Sequence, residues 1–119
     1  MARIPTIKNR RDFLVANASA RKFVTHSFIL QYVKRADDHP VRTDARIGYT
    51  VTKKMGGAVE RNRIKRRLRE VVKQTMPQHQ QSDFDYVVIA RQKALACDFS
   101  ELLRDMEFAF SRIHANKGA

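Results

Sequence analysis

A chain of 119 residues with 43% hydrophobic content makes one domain with a modest core, and a formal charge of +12 makes a polyanion its default partner. Cys97 is the single cysteine, which excludes an intrachain disulfide and a cysteine-based zinc site and fits a reducing, cytoplasmic setting. No apolar run approaches the length that crosses a bilayer, and the stretch at residues 13–16 is too short for the core of a secretion signal.

Asn9, three residues ahead of Asp12, is placed to cap a helix before the apolar run Phe13-Leu14-Val15 and predicts a short helix over residues 10–19. Residues 27–35, SFILQYVKR, are rich in β-branched and aromatic side chains and predict a strand, which Asp37-Asp38-His39-Pro40 ends. Over residues 45–53 the side chains alternate, with Ile47, Tyr49 and Val51 on one face and Gly48, Thr50 and Thr52 on the other. A second strand is expected there, with a shorter one near Val41.

Gly56-Gly57 marks a turn, and the helix after it runs to about Met76, where Pro77 disfavours continuation. Beyond a polar connector, Tyr86-Val87-Val88-Ile89-Ala90 is continuously apolar, the pattern of a buried central strand. Asp98 and Glu101 form a capping-box-like start to a last helix, whose Leu102, Leu103, Met106, Ala109, Phe110 and Ile113 follow helical spacing. The tail from Asn116 onward is expected to fray.

The basicity is concentrated. Residues 53–73 hold nine cations, Lys53, Lys54, Arg61, Arg63, Lys65, Arg66, Arg67, Arg69 and Lys73, against two acids, Glu60 and Glu70, which leaves +7 of the whole +12 in one segment. At about 100° per residue, Ile64, Leu68, Val71, Val72 and Thr75 form a core-facing stripe, while Asn62, Lys65, Arg66, Arg69 and Lys73 share the neighbouring arc. One face packs and another is free to bind. Two glutamates are too few to pair these cations along the helix, so the ridge suits RNA, with arginine bridging phosphates and stacking on exposed bases.

The run Arg61-Asn62-Arg63-Ile64-Lys65-Arg66, after Val51-Thr52-Lys53-Lys54-Met55-Gly56 and before Arg67-Leu68-Arg69-Glu70, resembles the signature segment of the bacterial ribonuclease P protein subunit. Asp12-Phe13, Arg46-Ile47-Gly48, Val87-Val88-Ile89-Ala90-Arg91 and the closing amphipathic helix resemble that family in the same order, over nearly the whole chain. The resemblance implies a single RNA-binding domain over residues 1–119, a small α/β two-layer sandwich of order α-β-β-β-α-β-α. It places the basic helix in a left-handed β-α-β crossover, against the right-handed rule for ordinary parallel crossovers. It also implies a protein that assists a catalytic RNA in removing the 5′ leader from precursor tRNA and carries no catalytic side chain itself.

On this resemblance Arg61, Asn62, Arg63, Lys65, Arg66 and Arg69 contact the ribonuclease P catalytic RNA, and a cleft between the first helix and the sheet receives the precursor tRNA leader. Phe13 is the candidate stacking residue, with Lys53, Lys54 and Arg91 as phosphate neighbours, because aromatic stacking on a cationic track holds single strands without reading sequence. Lys8, Arg10 and Arg11 extend the basic surface near the same cleft. Asn17 and Gln31 stand where family members often carry cleft aromatics; Tyr32 should point to the opposite face, and Tyr49 is the candidate substitute. Magnesium (Mg2+) should belong mainly to the RNA. No membrane partner and no protein oligomer are expected.

Three other classes compete: a structural RNA binder such as a ribosomal protein, a protein-only nuclease, and a membrane-surface helix, which the narrow apolar stripe without aromatic anchors disfavours. The second lacks support, since the sequence holds no glycine-rich nucleotide loop, HExxH, GxSxG or carboxylate cluster.

Overall fold

Period-two alternation in the strands and a period of 3.6 in the helices sort the apolar side chains onto the two faces of one sheet. The protein is described by a computed structural model over residues 4–19, 21–40 and 45–114. Helix α1 is Arg10–Ser19; strands β1 and β2 are Arg21–Val24 and Phe28–Lys34; β3 is Arg46–Thr50. Helix α2 is Ala58–Thr75, β4 is Phe84–Ala90, α3 is the short Lys93–Ala96, and α4 is Phe99–Ile113.

The sheet order is β1-β2-β4-β3. β2 runs antiparallel to β1 and β4, whereas β3 runs parallel to β4, so α2 is the crossover of a β3-α2-β4 unit. Outside β3 the N-terminal segment adds a bridge, with the Ile7 N–H donating to the Ile47 carbonyl at 2.9 Å and the Ile47 N–H to the Pro5 carbonyl at 3.0 Å. That pairing covers the β3 edge.

One sheet face carries the main core. Phe28 and Leu30 of β2, Ile47 of β3 and Tyr86 and Val88 of β4 pack with Ile64, Leu68, Val71 and Val72 of α2 and Leu102, Met106 and Phe110 of α4. The stripe read from the sequence of α2, Ile64 through Thr75, is the set that the fold buries. On the other face a smaller cluster joins Val87 to Ile7 and to Ala16 and Phe13 of α1. The α/β sandwich expected from the resemblance is the architecture found, with α2 and α4 on one side of the sheet and α1 on the other.

Several boundaries differ from expectation for local reasons. β3 stops at Thr50 because residues 53–55 wind into a 3-10 turn, and α2 gives way to a second such turn, Met76–Gln78, at Pro77. The Asn9 cap forms, its Oδ1 accepting the Asp12 N–H at 2.9 Å. Asp98 occupies the N-cap position of α4, but its side chain makes no capping bond there. β1 and α3 were not expected from pattern. The short strand near Val41 and the fraying tail from Asn116 fall outside the described residues.

Beneath α1 lies a buried ionic network. Arg46 on β3 grips Asp85 on β4 through both oxygens, Nε to Oδ1 at 2.9 Å and Nη2 to Oδ2 at 2.7 Å, and Nη2 also reaches Asp12 Oδ2 at 2.9 Å. Arg35, just past β2, donates to Asp85 Oδ1 at 2.5 Å and to the Phe84 carbonyl at 3.1 Å, and His39 Nε2 meets Asp12 Oδ1 at 3.1 Å. Asp12, Arg35, Arg46 and Asp85 are all buried. β3, β4 and the segment just past β2 are thereby tied to α1.

Burial alone would raise the Asp12 carboxyl, but hydrogen bonds from Arg46 and His39 outweigh it and hold the group below its ordinary 3.8. A carboxyl depressed in the folded state contributes stability that is fully present above its unfolded value and lost as pH falls through the folded one. The thermal midpoint should therefore hold steady down to about pH 4 and fall below it, and Asp12→Asn should blunt that acid limb in a melt series.

Candidate nucleic-acid interface

Gly56 opens the path into α2 with a φ of 127°, a left-handed conformation that glycine adopts without strain. The helix begins after Gly57, so its first-turn amides are presented at the end of a basic segment. Along α2, Asn62, Arg63, Arg66, Arg69 and Lys73 are exposed and Lys65 is half-buried. Among the described residues no lysine or arginine of α2 forms an ion pair. Glu70 instead accepts from Gln74 Nε2 at 3.0 Å. The result is a ridge roughly 27 Å long, from 18 residues at the helical rise, on which Arg63, Lys65, Arg66, Arg69 and Lys73 are left for an external anion.

Three arginines of the segment have distinct settings. Arg61 folds back to the helix start, Nε donating to the Gly57 carbonyl at 3.4 Å. Arg67 points the other way and donates to the Leu95 carbonyl at 2.6 Å and the Cys97 carbonyl at 2.5 Å, so it clamps α2 to the α3-α4 connector. Arg69 lies 5.9 Å over the Tyr49 ring. Burial pushes the Tyr49 phenol up to about 12 against the pull of that guanidinium, so the ring stays neutral.

Across the sheet lies a groove. Ile29, Ile89 and Thr50 are cross-strand neighbours on β2, β4 and β3 and remain half-exposed on the α1 face. On the α1 side, Lys8, Arg10, Phe13, Leu14, Asn17 and Thr50 line an open concavity of about 430 Å³. Beyond the Thr50–Ile89 pair, His26, Ile29, Met55, Ile89, Arg91 and Lys93 line another of about 420 Å³. Apolar floor and cationic rim are what a single strand of nucleic acid requires.

Gly48 sets the position of the aromatic. A Cβ added there would lie 2.6 Å from Phe13 Cζ and 2.7 Å from Cε1, so the ring rests directly on the glycine. No other residue would let Phe13 sit against the sheet in this way.

The whole arrangement has relatives. Residues 1–114 match the family model described as Ribonuclease P. The chain belongs to the ribonuclease P family. A ribonuclease P protein component of Paramagnetospirillum magneticum is 41% identical over 114 residues, covering 96% of this chain and 86% of that one. The Staphylococcus aureus RNase P protein superposes with a TM-score of 0.73 at 28% identity, over 92% of this chain and 94% of that one. The Thermotoga maritima RNase P protein, solved with 1-(4-fluorophenyl)-2-thiourea, gives 0.70 at 27% identity, over 87% and 94%. Membership in the ribonuclease P family implies a ribonuclease complex, tRNA processing and an RNA partner.

The structure gathers Arg61, Asn62, Arg63, Lys65, Arg66 and Arg69 on one helix and puts Phe13 and Arg91 in the adjoining concavities of one groove. Lys53 and Lys54 sit exposed on the 3-10 turn whose Met55 lines the second concavity. Arg91 is anchored, its N–H on the Ser27 carbonyl at 3.0 Å and Nη1 on the Thr25 carbonyl at 2.9 Å, yet stays exposed.

Tyr49 does not substitute for a cleft aromatic: it follows the parity of Ile47, faces α2 and packs beside the main core. Tyr32 does face away from the groove, against His114. Asn17 lines the groove, and Gln31 is buried on the same face. Lys8 and Arg10 border the groove as expected, while Thr50 and Lys93 were missed as lining residues because only the strand order brings them there.

Among the described residues no helix is long and apolar enough to cross a membrane.

Proposed function

We propose that this chain is the protein subunit of ribonuclease P, docking on the catalytic RNA through the α2 ridge and receiving the 5′ leader of precursor tRNA in the groove beside α1. The observation that carries the reading is the pairing of an unneutralised cationic helix with an aromatic-bearing, cation-rimmed groove on the opposite sheet face. Hydrolysis of the phosphodiester belongs to the RNA. Magnesium is held mainly by the RNA in this reading; the buried carboxylates Asp12 and Asp85 are engaged by guanidinium groups. The protein acts on magnesium demand indirectly, because cations that offset phosphate repulsion bring RNA and substrate together at lower magnesium.

The test combines purified protein, a bacterial ribonuclease P RNA and 5′-extended tRNA at limiting magnesium. Precise leader removal should rise with protein. Activity that is indifferent to the protein sinks the reading in favour of a structural RNA binder, and cutting without RNA replaces it with a protein-only nuclease.

The groove has its own test in Gly48→Ala. The new methyl must displace the Phe13 ring, and loss of one base stack should weaken binding of leader-bearing tRNA roughly tenfold relative to leaderless tRNA, with the fold retained by circular dichroism. Equal affinities for both tRNAs in wild type would remove the groove from the reading.

A further inference from the structure

At the sheet edge farthest from β3, an aromatic side chain stands exposed among cations that neither the ridge nor the groove uses. Phe108 of α4 is 52% exposed, its ring edge-on to Phe23 of β1 at 5.7 Å and its face covered by the Arg112 guanidinium at 5.4 Å. Arg104 and Arg112 lie one turn before and after it on the same side of α4. Arg21, two residues from Phe23 on β1, shares the strand face that meets α4.

None of Arg21, Arg104 and Arg112 forms an ion pair among the described residues. The nearest acids on α4 are Glu101, half-buried one turn before Arg104, Asp105, which is half-buried, and Glu107, which is engaged by His79.

The Phe23 edge contact and the Arg112 guanidinium hold the Phe108 ring in one place while leaving half of it open to solvent. A large exposed aromatic with a cation on its face and further cations around it is the chemistry that captures an unpaired nucleobase and its flanking phosphates. A second copy of this chain is disfavoured as the occupant, because two such cationic edges repel at a net charge of +12 each.

We infer that the α4-β1 edge is a third RNA contact, an unpaired base stacking on Phe108 against Arg112 with phosphates on Arg21 and Arg104. It rests on the proposed function only in taking RNA as the partner. The ridge lies on α2 and the groove on the far face of the sheet, so this contact makes a separate contribution to affinity.

The chain contains no tryptophan, so Phe108→Trp installs a sole indole reporter at the site. Indole fluorescence should be quenched on titration with bacterial ribonuclease P RNA and with a short single-stranded oligoadenylate. Adding Arg112→Gln to that variant should shift the quenching midpoint roughly five- to tenfold to higher RNA. Full binding by anisotropy with unaltered indole emission overturns this inference and leaves the proposed function standing. Absence of any RNA binding overturns both. Emission that changes with protein concentration alone assigns the edge to a second copy and overturns the RNA contact.

Discussion

Alanine at both Arg63 and Arg66 should weaken binding to the catalytic RNA on the order of a hundredfold at moderate salt, since hydrogen bonds to charged groups contribute roughly 1.5–3 kcal/mol each. The sharper signature is the slope of log affinity against log salt, which should flatten by about 1.5 units when two phosphates are no longer neutralised. Both side chains are exposed and unpaired with any carboxylate among the described residues, so the thermal midpoint should hardly move. Arg67→Ala is the internal contrast. It removes two hydrogen bonds to the Leu95 and Cys97 carbonyls and should lower stability while leaving the salt slope nearly intact. A filter-binding titration in which the double variant keeps the wild-type slope would remove α2 as the docking helix.

Asp85→Ala should be the most damaging single change to the fold. It removes the shared carboxylate from two buried arginines at once, Arg46, held through both oxygens and left with Asp12 alone, and Arg35, held at 2.5 Å and left with Asp83 at 3.9 Å. Breaking a buried pair from one side costs roughly 3–5 kcal/mol, a large part of the 5–15 kcal/mol that a typical domain has. Urea denaturation reads this directly. A loss below about 1 kcal/mol would mean that Asp12, Asp83, water or backbone groups satisfy the two guanidinium groups without Asp85.

Much of this was legible in the residues because it depends on local pattern. The Asn9 cap fixed the start of α1, Pro77 ended α2, and the five-residue apolar stripe of α2 named its buried face. The continuous apolarity of residues 86–90 follows from helices on both sides of β4.

What escaped depends on partners distant in the chain. β1 is four residues, RKFV, too short and too charged to read as a strand; it exists because β2 pairs with it. Asp85 interrupts an apolar strand, and nothing in that strand says that its partner Arg46 lies 39 residues earlier. Arg67 counted toward the charge of the ridge until its carbonyl partners, 28 and 30 residues on, showed it to be a clamp. Tyr49 lies on the side away from the groove because parity separates it from Gly48 and Thr50, and only the placement of α1 tells which side holds the groove.

β3 carries a consequence of its own. Tyr49 and Thr50 are consecutive, about 3.8 Å apart at Cα, yet Tyr49 supports Arg69 on one surface while Thr50 floors the opposite one. Nucleic acids seated on the two surfaces would thus be separated by a single layer, one strand of the sheet thick. The distance between two such molecules is therefore set by the thickness of the sheet itself.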